Sequence, residues 1–272
     1  MKEFLKKYEI WIFLILAPIM NGIFIYGISI DVIPGRLYMH GRFFILLFLL
    51  MGMIWFTRGK EGLKDLFTPM KKWKVPLKWF FLVLTFAITI ACLTLLLKGY
   101  FYEMDYVSLF SINISYLVDA RFMFNLILWA FVGEVVWISY AVRKLCQIMN
   151  PIYASQVVGI VWGLWWLPLV EFNVGVIPDL PLWPLMINMM AAAGMCTIIY
   201  AHTKSGLLVW LLQIMLNTSL LVFPIAPSIG GVLTYATFSI LYFIFMLCFM
   251  YFANPKQKFG NEINSVLYDS GK

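Results

Sequence analysis

Residues 131–145 read FVGEVVWISYAVRKL and lie within a long apolar run of the sequence. One glutamate, Glu134, interrupts this run, which ends at the basic pair Arg143 and Lys144. The helix from Glu134 to Arg143 rises about 1.5 Å per residue, so Glu134 lies ~13 Å inside that end, farther than its side chain reaches. A carboxylate at this depth in a membrane segment is costly and usually marks a functional site. The stretch therefore predicts a membrane-spanning helix that carries a polar site.

The composition is that of a membrane protein. The chain has 272 residues, of which 63% are hydrophobic and only 12% are charged, and its mean hydropathy is +0.89. Several apolar runs reach the length that a helix needs to cross a bilayer. We therefore predict an all-α fold, a polytopic transmembrane helical bundle of about eight spans that forms a single integral membrane domain over residues 1–272. The net charge of +7 does not indicate nucleic-acid binding, because the basic residues fall between the apolar runs.

The distribution of charges predicts the orientation of the spans. The predicted spans are residues 10–30, 43–57, 79–97, 121–149, 155–170, 185–202, 206–223 and 231–252. Seven lysines and arginines occur in residues 58–78, whereas the acidic segments 99–120 and 171–184 have almost none. Because cytoplasmic loops are enriched in basic residues, we predict a cell-membrane protein with both termini in the cytoplasm, including a flexible cytoplasmic tail at 254–272.

Three predicted spans carry polar or aromatic side chains, each with a second side chain of interest four residues further on and so on the same face of a helix. These pairs are Glu134 and Ile138, Trp162 and Trp166, and Gln213 and Asn217. Counted from the basic side, they lie at similar depths in their spans, so they could meet in one layer of the bundle. Independent helix–helix contacts are the alternative, since glutamine and asparagine often hydrogen-bond between membrane helices. In the first case we expect Glu134 to hydrogen-bond with Gln213 or Asn217.

Three segments resemble the motifs of a known family. They read GEVVWISY at 133–140, WGLWWLPL at 162–169 and SGLLVWLLQIMLN at 205–217. In order and spacing they are similar to the motifs of the CPBP family, the CAAX protease and bacteriocin-processing intramembrane metalloproteases (also called the Abi family). The family motifs read EExxxR, then F/WxxxHxP, then HxxxN or HxxxD. The resembling core covers residues 121–223.

The chain departs from the family pattern at the residues that would carry catalysis. The family's two glutamates, its arginine, its two histidines and its asparagine fall on Gly133, Glu134, Ile138, Trp166, Gln213 and Asn217, respectively. Only Glu134 and Asn217 retain the family residue. A hydrolytic zinc needs three protein ligands, usually histidine and carboxylate, and the chain's two histidines, His40 and His202, lie outside the motifs. The resemblance therefore implies a degenerate member without the family's zinc or any other cofactor.

Three functions remain open at this stage. The first is a proteolytically inactive protein that binds a partner membrane protein, or a hydrophobic or lipidated peptide, for regulation or for bacteriocin self-immunity. The second is an active intramembrane CAAX-type endopeptidase with an altered site. The third is a small membrane transporter, which broken helices and a second intramembrane charge would favour.

Overall fold

The computed structural model of the protein describes residues 2–105, 109–175, 180–256 and 258–259. Over these residues the chain forms helices and no strands, and eight helices are long and apolar enough to cross a membrane. In chain order the eight are α1 (Lys2–Ser29), α2 (Tyr38–Phe67), α3 (Leu77–Tyr102), α4 (Ala120–Leu145), α5 (Pro151–Glu171), α6 (Leu182–Thr203), α7 (Gly206–Val222) and α8 (Val232–Ala253). The predicted all-α bundle of about eight membrane-spanning helices is confirmed.

Three predicted features lie partly outside the described residues, and the first is the acidic segment 99–120, which includes residues 106–108. The acidic segment 171–184 includes Asp179, and the predicted tail 254–272 includes residues 257 and 260–272, none of which the structure describes. Lys258 is described, and its backbone carbonyl accepts a hydrogen bond from Lys204 at the end of α6.

Helix α6 occupies the centre of the bundle. It packs against α5 on one side and α8 on the other, and it has the largest buried share of the eight helices. Its middle carries the small residues Ala191, Ala192, Ala193 and Gly194, all of them buried. Small residues allow membrane helices to approach closely, because packing rather than the hydrophobic effect drives their association in lipid. Helices α1 and α2 lie outside α5 and α4, and α3 lies against α7 and α8.

One end of the bundle gathers most of the basic residues. There Arg143 at the end of α4 pairs with Asp65 of α2, with Nη2 and Oδ2 2.7 Å apart. At the same end Ser205, which caps α7, donates a hydrogen bond to the carbonyl of Lys72. We call this end, which carries the start of α1 and residues 58–78, the basic end, and the other the opposite end.

Helix α4 is not a regular α-helix. Residues Ala120–Gly133 are α-helical, Glu134–Val142 form a π-helix, and Arg143–Leu145 return to the α-helical form. All nine residues of the π-helix are buried. In a π-helix the backbone bonds run between residues five apart, and such segments are frequent at functional sites. Helical spacing of three and four residues therefore does not describe which side chains meet along this part of α4.

Candidate functional site

A cavity of about 330 Å³ lies between α4, α5, α6 and α7. Four of the six family-motif positions contribute to its wall, and these are Gly133, Trp166, Gln213 and Asn217. The wall extends from the middle of the bundle towards the opposite end, where it includes residues 173–175 and 226–227. Its volume is at the lower end of the ~300–1,000 Å³ typical of ligand pockets. The structure thus brings one helical face from each of α4, α5 and α7 to one shared cavity.

Gly133 and Gln213 contact each other across the cavity. A Cβ atom added at Gly133 would lie 2.7 Å from Oε1 of Gln213 and 3.9 Å from Cζ2 of Trp162. Gln213 is only 3% exposed. The missing side chain at Gly133 is therefore what lets Gln213 approach α4, and a glutamate at this position would displace the Gln213 amide.

Indole rings fill the space beside these residues. Trp162 stacks on the fully buried Trp137 of α4, with ring centroids 6.0 Å apart and planes at 21°. Trp166 meets Trp165 edge to face, with centroids 5.8 Å apart. The indole Nε1 of Trp166 has no hydrogen-bond partner among the described residues. The α5 side of the cavity is therefore aromatic, and Trp166 adds an unpaired donor to its wall.

Two buried amides in the cavity wall have atoms without a hydrogen-bond partner among the described residues. Asn188 of α6 is 0% exposed, and neither its oxygen nor its nitrogen is bonded; Nε2 of Gln213 is also unpaired. Buried polar groups are normally hydrogen-bonded, because burial without a partner costs about 1–3 kcal/mol in proteins. The sequence prediction missed Asn188, although an asparagine within the apolar run 185–202 was the available signal. These amides are the polar groups that a ligand in the cavity would meet.

Glu134 lies outside the cavity wall. Its carboxylate is fully buried, and Oε1 accepts a hydrogen bond of 2.5 Å from Oγ of Ser139. The expectation that Glu134 bonds with Gln213 or Asn217 is therefore wrong. The reason is the π-helix, which brings side chains five residues apart onto one face, so that Ser139 rather than Ile138 lies beside the carboxylate.

Two further features define the surroundings of Glu134. A Cβ atom at Gly206, the first residue of α7, would lie 2.8 Å from Glu134 Oε1, so the carboxylate lies next to a helix N-terminus, where negative charge is favoured. Its Oε2 has no partner among the described residues. Ile138, at the family's arginine position, is 0% exposed and belongs to the apolar core. Neither residue contributes to the cavity.

The side chains around the cavity do not fit a hydrolytic zinc ion. No group of three or more histidine, cysteine, aspartate or glutamate side chains that could hold a metal occurs in the described part of the chain. His40 hydrogen-bonds with Asn125, and His202 with the carbonyl of Ala253. The cavity itself offers amides and indoles, whereas zinc is bound by imidazole, thiolate or carboxylate.

A buried polar network at the basic end was not expected from the sequence, in which the candidate polar side chains fell in the fourth, fifth and seventh predicted spans. Glu9 of α1 is 4% exposed and accepts hydrogen bonds from Arg58 and from the Tyr140 hydroxyl, each at 3.0 Å. Arg58 also lies 3.6 Å from Asp65, which pairs with Arg143. Two carboxylates and two guanidinium groups thus compensate one another and link α1, α2 and α4.

Arg42 is a second buried charge in the first three spans. The sequence pattern placed it just before the second span, but α2 begins at Tyr38 and Arg42 is 0% exposed. Its guanidinium carbon lies 3.5 Å and 4.3 Å from the ring centroids of Trp165 and Trp166. Its Nη2 donates to the Trp165 carbonyl at 3.4 Å. None of the ion pairs among the described residues involves Arg42.

The fold and the cavity define a polytopic helical membrane protein with a partly open, mostly apolar cavity among α4–α7, into whose wall a few amide side chains are built. No protein-family model matches the sequence, and no curated protein matches it. The resemblance to the CPBP family therefore depends on the three quoted segments.

Proposed function

We propose that this protein is a degenerate member of the CPBP family that binds an apolar membrane ligand in the cavity among α4–α7 and does not hydrolyse it. The convergence of Gly133, Trp166, Gln213 and Asn217 on one cavity supports the proposal, because these positions correspond to family residues that come from three separate segments. The side chains present there lack the ligands that a zinc ion requires. A site with the family's shape but without its chemistry is suited to binding.

The observation that carries the proposal is the unpaired amide of Asn188, together with the unpaired Nε2 of Gln213, in the cavity wall. In a membrane bundle no bulk water is at hand to satisfy such groups. A ligand with an apolar body and hydrogen-bonding groups would pair with both amides and fill the space between the indoles. A hydrophobic or lipidated peptide, or the membrane segment of a partner protein, has this chemistry. Regulation of a membrane partner or bacteriocin self-immunity are the roles that such binding would serve.

The distribution of charge supports the orientation that goes with this proposal. The basic end would face the cytoplasm of a cell-membrane protein, with both termini there, because positively charged segments are retained on that side. The cavity wall extends towards the opposite end, which includes residues 173–175 and 226–227. A ligand would therefore enter from the non-cytoplasmic half of the bilayer.

Photo-crosslinking from inside the cavity tests the proposal. Trp166 is replaced by the aromatic photoprobe p-benzoylphenylalanine, and adducts formed in native membranes are identified by mass spectrometry. The matched control carries the same probe at Trp55 of α2, which is 51% exposed on the bundle surface. We expect a defined adduct at position 166 only, and a lower yield when Asn188→Leu removes one amide. Identical adducts from both positions, unaffected by Asn188→Leu, would contradict a binding cavity.

A small membrane transporter is the second candidate, and two observations favour it. Arg42 and Glu9 are buried charges in addition to Glu134, and α4 is interrupted by its π-helix. Interrupted helices and intramembrane charges are typical of transporters. Reconstitution in sealed vesicles distinguishes the two functions. A transporter would move the ligand that crosslinking identifies into the vesicle lumen, whereas a binding protein would only retain it.

A further inference from the structure

Arg42 is a buried cation for which the described residues provide no counter-ion. It takes part in none of their ion pairs and is 0% exposed. The faces of Trp165 and Trp166 lie 3.5 Å and 4.3 Å from it, and such cation–π contacts replace only part of the hydration that a guanidinium loses on burial. The basic end shows the contrast, since Arg58 and Arg143 are both paired there with carboxylates.

The hydrogen-bonding capacity around Arg42 is also incomplete. A guanidinium has five N–H donors, but only Nη2 has an acceptor, the Trp165 carbonyl at 3.4 Å. Nε and Nη1 have no partner among the described residues, and neither has the hydroxyl of Tyr38, one turn earlier on α2. The same carbonyl already accepts a hydrogen bond of 2.6 Å from Asn21 of α1. Three donors of one small cluster thus lack an acceptor.

This cluster borders the cavity. Met39 and Phe43, which flank Arg42 on α2, contribute to the cavity wall, and so does Trp166 from α5. The Trp166 indole thus contacts the guanidinium and also forms part of the cavity wall. A rotation of this half-buried ring about its side-chain bonds would bring Arg42 into contact with a molecule in the cavity.

From this arrangement we infer that Arg42, with Tyr38 and behind Trp166, binds the anionic group of a single-chain amphiphile whose apolar chain occupies the cavity. The inference rests on the proposed function and names the chemical class of its ligand. The shared chemistry is a carboxylate or a phosphate, both of which accept charge-assisted hydrogen bonds from guanidinium. One apolar chain suits the modest volume of about 330 Å³ better than the two chains of a phospholipid. Asn188 and Gln213 would then contact polar groups along that chain.

Equilibrium binding to the full-length protein in nanodiscs tests the inference. The probes are radiolabelled dodecanoate, dodecyl phosphate and dodecanol, which share one chain and differ in the head group, with empty nanodiscs as the background. We expect one or both anions to bind at least about tenfold more tightly than dodecanol, because hydrogen bonds to charged groups are the strong ones. The comparison of dodecanoate with dodecyl phosphate identifies which anion is preferred.

Arg42→Met removes the charge while keeping an unbranched side chain, and Arg36→Met is the matched control, since Arg36 is an exposed arginine at the same end. We expect Arg42→Met to lose the preference for anions and to retain dodecanol binding, whereas Arg36→Met changes neither. Equal binding of all three probes by the natural protein, or an anion preference that survives Arg42→Met, would overturn the inference but leave the binding cavity intact. Absence of binding by every probe would also overturn the inference, whereas the proposed binding function would fail only if the photoprobe at position 166 gave no defined adduct either.

The stability of the ligand-free protein gives a second readout. If Arg42 is compensated only when an anionic ligand is bound, Arg42→Met removes an uncompensated buried charge from the ligand-free protein. The ligand-free variant should then be as stable as the natural protein or more stable. An arginine with a purely structural role, as a bridge from α2 to α5, would instead make Arg42→Met destabilising. A clear loss of stability in the absence of ligand would therefore refute the inference.

Discussion

The hydrogen bond from Ser139 to Glu134 yields the sharpest prediction, because it exists only if α4 is a π-helix at this point. Residues five apart on a regular α-helix are separated by about 140° around the axis, so Ser139 could not reach the carboxylate. In the structure the two oxygens are 2.5 Å apart. Ser139→Ala removes the hydroxyl that donates to Oε1 of Glu134. Oε2 of the same carboxylate already has no partner among the described residues.

The size of the effect follows from two bounds. Hydrogen bonds to charged groups contribute roughly 1.5–3 kcal/mol in proteins, whereas side-chain hydrogen bonds in membrane bundles average about 0.6 kcal/mol with a maximum near 1.7. Ser139 is 0% exposed, so no water can take its place. We expect Ser139→Ala to lower the free energy of unfolding by about 1–2 kcal/mol.

A double-mutant cycle isolates this bond. The free energy of unfolding is measured in mixed micelles for Ser139→Ala, Glu134→Leu and the double variant, and we expect a coupling of about 1–2 kcal/mol between the two sites. The control is Ser239→Ala, in which an equally buried serine donates to the carbonyl of Tyr235 on its own helix. Its loss should be much smaller. A coupling of zero would mean that the two side chains do not meet and that α4 is a regular helix here.

Three further predictions concern the metal, the orientation and the carboxylate. Elemental analysis of the purified protein should find well under one zinc per chain, and a full equivalent that disappears on Glu134→Ala would restore the enzyme hypothesis. A cysteine introduced at Asp105 should react with an impermeant reagent added outside intact cells, whereas one introduced at Lys72 should not; equal labelling would exclude the proposed orientation. Glu134→Gln keeps an acceptor for Ser139 and should leave the fold and function nearly unchanged. Glu134→Lys instead adds an unpaired buried cation, which costs about 2.5–3.5 kcal/mol in a membrane helix, and should reduce expression.

The eight spans could be predicted from the sequence because the preference of an apolar run for the bilayer over water depends on the run itself. Twenty apolar residues favour the bilayer whatever their neighbours are, and all eight predicted runs correspond to helices. The ends were predicted less well. The first predicted span began at residue 10 and the second at residue 43, yet α1 begins at Lys2 and α2 at Tyr38. Glu9 and Arg42 were consequently assigned to the residues that flank the first and second spans. A hydropathy profile does not show which charged side chains are compensated inside a folded bundle.

The site shows the same division between local and tertiary information. Gly133, Trp166, Gln213 and Asn217 could be grouped from motif spacing, and they do contribute to one cavity. The position of Glu134 could not be predicted. In a regular α-helix, side chains three and four residues apart share a face, and this part of α4 is not a regular α-helix. Nothing in the letters EVVWISYAV indicates a π-helix; that geometry follows from the packing of α4 against α2, α5, α6 and α7. The unpaired state of Asn188 is likewise a property of the assembled helices alone.

The balance of buried charge distinguishes the two halves of the bundle. At the basic end Glu9 and Asp65 are paired with Arg58 and Arg143, so that part is electrostatically complete without any ligand. Near the opposite end the described residues offer Arg42 only aromatic faces and one long hydrogen bond to a carbonyl. A membrane protein gains nothing from an unpaired buried cation as such. Its place directly behind the Trp166 wall of the cavity is therefore better explained by a negative charge that arrives with the ligand than by the stability of the empty bundle.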